Sequence, residues 1–270
     1  MNARRHIGVA VALAGAIGVV VLLAWWLEGP ERAALWLSLR VAVACVAVVL
    51  GPGVLLGWWL ARARLPRVVA AAADAAVNLP LVLPPVVVGF VLLAGLGRGG
   101  GVGAWLEGVL GVRVAFTWWA AVIASAVMAL PLVVRSVRQA VEAVDRGAEE
   151  AAATMGAGPV AVWLTVTLPL AWPGVVSGAV LALARSLGEF GATITFAGSI
   201  EGLTRTLPAA IYAHSETPGG EAAAWRLIAA SVALSVAAML AAGVALGRDT
   251  RQGNRARATE GSVLAVRAAA

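Results

Sequence analysis

No lysine occurs among the 270 residues; the twenty basic side chains are all arginine and face fourteen acidic ones, for a net charge of +6. A chain without lysine cannot carry the Gly-x-x-x-x-Gly-Lys-Ser/Thr phosphate loop, so any nucleotide hydrolysis of that type must come from a partner. The single cysteine, Cys45, excludes an intrachain disulfide, and with only His6 and His214 beside it a His/Cys metal centre cannot be assembled. A Ser-His protease pair inside a membrane would need a histidine within an apolar run, whereas His6 lies at the edge of one and His214 between two. Charged residues make up only 13% of the chain, and the arginines stand singly or in pairs at the ends of apolar runs with no stacking platform among them. Their placement fits orientation in a bilayer and not nucleic-acid binding.

What remains is overwhelmingly apolar. Hydrophobic residues are 61% of the chain, against about 45–50% in soluble proteins, which makes this an all-α, polytopic membrane protein. Six segments of spanning length are expected, near Ile7–Leu27, Leu35–Leu60, Val77–Leu96, Thr117–Val134, Ala171–Phe196 and Ala222–Leu246. The first follows a basic start, as a signal peptide would, but its length favours a retained span. Cys45 lies within the second and reads as a lipid-facing or packed small hydrophobe.

An even number of spans puts both termini on one side. Arg4, Arg5, Arg62, Arg64, Arg67, Arg135, Arg138, Arg146, Arg248 and Arg251 all fall on that side, which the positive-inside rule makes the cytoplasm. Tryptophans at segment ends, among them Trp25, Trp58, Trp105, Trp118 and Trp172, form the expected aromatic belts. Residues 1–247 then form the membrane domain. The stretch 248–270 loses the hydrophobic pattern and reads as a disordered basic cytoplasmic tail.

Three stretches depart from plain spans. Pro80, Pro84 and Pro85 crowd the third segment; each removes a backbone donor, and broken backbone at membrane depth survives only against protein or a cavity. A purely structural kink is the other reading. The loop Gly95–Gly111 carries eight glycines and reads as a flexible external connection. In the fifth segment Arg185 and Glu189 stand one helical turn apart, followed by Thr193, and charges at this depth face a bundle interior or a polar path. Arg185, Ser186, Glu189 and Thr193, with the three prolines, are the candidate path residues, and a mutually neutralising Arg185–Glu189 pair is the structural alternative.

The organising stretch lies between the fourth and fifth segments. Glu149 and Glu150 open a run of strong helix formers, so a short helix should start near Asp145. Gly156 and Gly158 can supply a turn with positive φ, and Pro159 suits the first position of the next helix. Ala151, Ala152 and Ala153 leave a surface that another protein can approach closely.

The sequence EAAATMGAGPVAVWLTVTLP, Glu150 to Pro169, resembles the EAA motif of ABC-importer permeases. Glu150, Ala151, Ala152, Gly156, Leu168 and Pro169 fall on the motif, and Val166 stands where isoleucine is usual. The phrases NLPLVLPPVVVGF, SLGEFGATITF, TRTLP and TPGGE resemble the molybdate group of these permeases, and the likeness runs over roughly residues 30–245. The resemblance implies a type I ABC-importer permease fold. It also implies a homodimer, two copies of an ATPase subunit that binds ATP and Mg, and an external oxyanion-binding protein. Glu149, Glu150, Ala151, Ala152, Gly156, Leu168 and Pro169 would couple to the ATPase, and this chain would hold no cofactor or metal of its own. Molybdate is the implied cargo, with tungstate beside it. A sulfate/thiosulfate permease is the alternative, and an ATP-independent transporter or a membrane scaffold is the reading from another class.

Overall fold

A computed structural model describes residues 2–63 and 65–246, with side chains from 14 to 240. The described residues are helical throughout their regular structure: α1 (Asn2–Trp26), α2 (Gly29–Arg62), α3 (Arg67–Val82), α4 (Pro85–Leu96), α5 (Gly101–Leu110), α6 (Trp118–Glu142), α7 (Arg146–Thr154), α8 (Pro159–Val162), α9 (Leu168–Leu187), α10 (Gly191–Phe196), α11 (Leu207–Ser215) and α12 (Glu221–Leu246). The expected disordered tail, 248–270, lies outside these residues.

Helix boundaries follow local chemistry. At the start of α2, Glu28 and Glu31 form a reciprocal capping box with Pro30 in the first turn, and Ala63 in extended backbone ends the helix three residues before Pro66. The centre of the bundle is α2, α6 and α9, brought together by small residues. A Cβ on Gly53 or Gly178 would run into Val133, one on Gly57 into Val134 and Val137, and one on Gly174 into Ala140 and the Ser136 carbonyl. Lipid tails are as apolar as the side chains, so close van der Waals contact is what holds such helices, and the glycines permit it. Ser136 Oγ adds an interhelical bond of 2.9 Å to the Gly174 carbonyl. Cys45 is fully buried in this seam, a packed residue of one chain and not a lipid-facing one.

Four helical stretches are long and apolar enough to cross a membrane: α2, α6, the run Pro159–Leu187 and the part of α12 from Glu221 to Leu240. The pair α3 and α4 makes a fifth if counted as one bent span. The described apolar part of α1, Ala14–Trp26, is shorter.

One expectation is sharpened and two are corrected. The break expected in the third segment is present, and it is sharp: the chain turns by 106° between α3 and α4. Pro84 and Pro85 carry that corner, since neither can donate to the preceding turn, while Pro80 is absorbed within α3. The fifth segment is also broken: α9 stops at Leu187, Gly188–Phe190 is not helical, and α10 starts at Gly191. The glycine-rich loop contains a helix, α5, and two of its glycines serve close contact: a Cβ on Gly103 would strike the Gly97 carbonyl, and one on Gly100 the carbonyls of Ala94 and Gly95.

Candidate functional site

The stretch 145–169 folds as helix, turn, helix. Asp145 caps α7 by accepting the Gly147 N–H at 3.0 Å, which satisfies one of the free donors of the first turn. The helix closes through Met155, and Gly156 takes φ +93°, a conformation that L side chains rarely adopt. Gly158 stays at φ −68°, so only the first of the two expected glycines uses its freedom. Pro159 begins α8, as its fixed φ favours. From there the helix widens into a π-helical stretch, Trp163–Thr167, before α9. Leu168 is half-buried at the joint and Pro169 is exposed in the first turn of α9.

Within α7 the two glutamates point to different surroundings. Glu150, Ala151 and Ala153 are exposed, and Ala152 is the one buried residue of the helix. Met155, 82% exposed at the tip, is a flexible apolar side chain that the sequence reading did not single out. Glu149 is turned inward. Its Oε1 accepts from Arg62 Nε at 3.3 Å, from Arg62 Nη2 at 3.0 Å and from Thr167 Oγ1 at 2.6 Å. Arg62 and Thr167 escaped the sequence reading as well; an arginine ending an apolar run across from an acidic loop was the only signal, and Arg62 lies 87 residues away. Along one face of α7 an open cleft of about 410 Å³ lies between Arg62, Glu149, Glu150, Ala153, Trp163 and Thr167.

The second region is where the two helix breaks meet. A Cβ on Gly191 would run into Pro85, and one on Gly89 into Thr195 and the Ala192 backbone, so α4 and α10 touch through glycines beside the Pro84–Pro85 corner. Pro80 stays in α3, one turn before the corner, and does not join this contact. Arg185, in the last turn of α9, and Glu189 are paired, Nη1 to Oε2 at 2.5 Å, with side-chain exposures of 26% and 1%. That contact is a charge pair outside hydrogen-bond alignment, for Oε2 has no hydrogen-bond donor. The other carboxylate oxygen accepts the Ala192 N–H at 2.9 Å. Ser186 is buried with its hydroxyl unpartnered, and the Thr193 hydroxyl is spent on the carbonyls of Glu189 and Phe190.

Among the described residues no group of three or more His, Cys, Asp or Glu is placed to hold a metal ion.

Comparison with known proteins identifies the family. Residues 53–263 match the family model described as binding-protein-dependent transport system inner membrane component. The chain is 50% identical over 214 residues to the molybdenum transport system permease protein ModB of Escherichia coli (strain K12), covering 79% of this chain and 93% of that one. It is 46% identical over 221 residues to ModB of Mycobacterium tuberculosis (strain ATCC 25618 / H37Rv), covering 82% and 83%. It is 38% identical over 196 residues to ModB of Azotobacter vinelandii, covering 72% and 85%. With a helical bundle of membrane-spanning length, a helix–turn–helix loop at one end and these matches, the chain belongs to the family of inner membrane components of binding-protein-dependent transport systems.

Proposed function

We propose that this chain is the membrane-spanning subunit of an ATP-driven importer for molybdate, with tungstate as a second cargo. The observation that carries the reading is the 50% identity to a molybdenum transport permease across 93% of that relative's length. The chain works as a homodimer with two ATPase subunits on its cytoplasmic face and an oxyanion-binding protein outside. A cytoplasmic position for α7 and both termini is supported by the arginines gathered on that side of the sequence. Glu150, Ala151 and Met155 form the docking face, and closure of the ATPase pair drives α7 against the bundle. The outer side of the α3–α4 corner, with Val82 80%, Phe90 59% and Leu79 51% exposed, is uncovered in a single chain. Interrupted backbone at membrane depth must meet protein or water, and a second copy of the chain supplies that cover.

The test is reconstitution of the complete complex, permease, ATPase and binding protein, in proteoliposomes. Molybdate and tungstate should stimulate ATP hydrolysis and accumulate, and sulfate should do neither. Stimulation by sulfate alone would move the chain to the sulfate/thiosulfate group, and accumulation without ATP would overturn the importer reading.

A further inference from the structure

We propose that Arg62 is a positioning residue for coupling: its guanidinium ties Glu149 of α7 to the end of α2, and holds that carboxylate where it also takes the Thr167 hydroxyl beside α9, so that a push on α7 moves the bundle and not merely the loop. The inference rests on the proposed function and adds a residue to it that lies outside the EAA stretch.

The geometry is a four-way junction built on two side chains, Arg62 and Glu149. Arg62 is the last residue of α2. Its Nε and Nη2 reach Glu149 Oε1 on α7, and Nη2 also donates to the Val144 carbonyl at 3.2 Å, in the connection from α6 to α7. The same Glu149 oxygen takes the Thr167 hydroxyl, at the end of the π-helical stretch leading into α9. Arg62 and Glu149 are only 15% and 17% exposed, so the pair is screened far less than a surface ion pair.

The rest of α7 is weakly held. Ala152 is its one buried residue, and the open cleft of about 410 Å³ runs along one face of the helix. A helix with open space along one face and no clamp would absorb a push by shifting into that space. With Arg62 in place, the push reaches α2 and α9 together, and both are packed on α6 through the Gly53, Gly57, Gly174 and Gly178 contacts. Glu149 and Glu150 thus divide the work: the outer carboxylate faces the partner, and the inner one ties the helix to the bundle.

The experiment uses the full chain in complex with its ATPase and binding protein, with two readouts. One is oxyanion transported per ATP hydrolysed in proteoliposomes. The other is hydrogen exchange of the α7 amides in the detergent-extracted complex without ATP, which needs no transport. Arg62→Gln should lower the transport ratio at least tenfold and speed α7 exchange at least tenfold, and Arg62→Lys, which keeps one charged contact, should fall between. Exchange rising while the ratio holds would make the clamp merely structural and overturn the proposal. A falling ratio with unchanged exchange would place the defect elsewhere and overturn it too. If Arg62→Gln fails to accumulate, Thr167→Val and the exchanged pair Arg62→Glu with Glu149→Arg decide. The first should shift both readouts in the same direction by a smaller amount, and the exchanged pair should recover part of what either single change loses; no shift and no recovery would overturn it. A wild-type complex that moves no oxyanion would refute the proposed function, while the exchange readout would still judge the clamp.

Discussion

Glu189 uses its two oxygens for different purposes, one for the Arg185 charge and one for the Ala192 N–H. Glu189→Gln keeps an acceptor for that N–H but leaves Arg185 without a counter-charge, which at membrane depth costs about 2.5–3.5 kcal/mol on insertion scales. Folded yield should therefore fall, and Glu189→Ala should be worse by about 1–3 kcal/mol because the buried N–H also loses its acceptor. The double change Arg185→Gln, Glu189→Gln should restore yield, measured by fluorescence-detected size-exclusion chromatography. Transport then separates the two roles of Arg185. Recovery means that the pair only cancels charge, and a folded but inert double variant means that the guanidinium meets the passing anion.

At the scale of elements, two contacts are sensitive to single atoms. Gly89→Ala should separate α4 from α10, since the added methyl falls on Thr195 and the Ala192 backbone, and overpacking of this kind costs about 1–3 kcal/mol. A lower midpoint in thermal unfolding of the detergent-extracted protein checks it, with an unchanged midpoint counting against the packing. The α7 turn should respond differently. Ala151 is exposed in the single chain, so Ala151→Trp should leave insertion and unfolding untouched while reducing the co-purified ATPase severalfold. Gly156→Pro attacks the same loop through its backbone: proline locks φ near −65°, whereas Gly156 sits at +93°. Transport should be lost with membrane insertion retained, and normal substrate-stimulated hydrolysis in both variants would remove the loop from the coupling route.

At the scale of the whole molecule, thiol labelling reads out orientation and cross-linking reads out pairing. Cys45 is buried, and replacing it by Ala gives a silent background. In that background a cysteine at exposed Gly99 should react with an impermeant thiol reagent in intact cells, and one at exposed Thr154 should not. The reverse pattern would invert the topology drawn from the arginines. Val82→Cys, at the uncovered α3–α4 corner, should give an oxidant-dependent cross-linked dimer in membranes, and its absence would place the second copy on another face.

Local sequence signals determined a good part of this protein. The apolar runs, the Asp145 cap, the positive φ at Gly156 and the Pro159 start were all legible, because hydropathy, capping and backbone freedom act over a few residues. The corner at Pro84–Pro85 was half legible. Three prolines announced a broken segment, but which of them helix packing would absorb depended on neighbours far along the chain. The glycines of 95–111 were misread because glycine permits both flexibility and close contact, and only the carbonyls facing Gly100 and Gly103 decide which applies. The separation of Glu149 from Glu150 was not legible at all. The two adjoin in sequence, yet their positions on α7 differ by about 100° around the helix axis. One thereby meets Arg62 and Thr167 while the other stays exposed, and that meeting exists only once α2 and α9 are packed against α6.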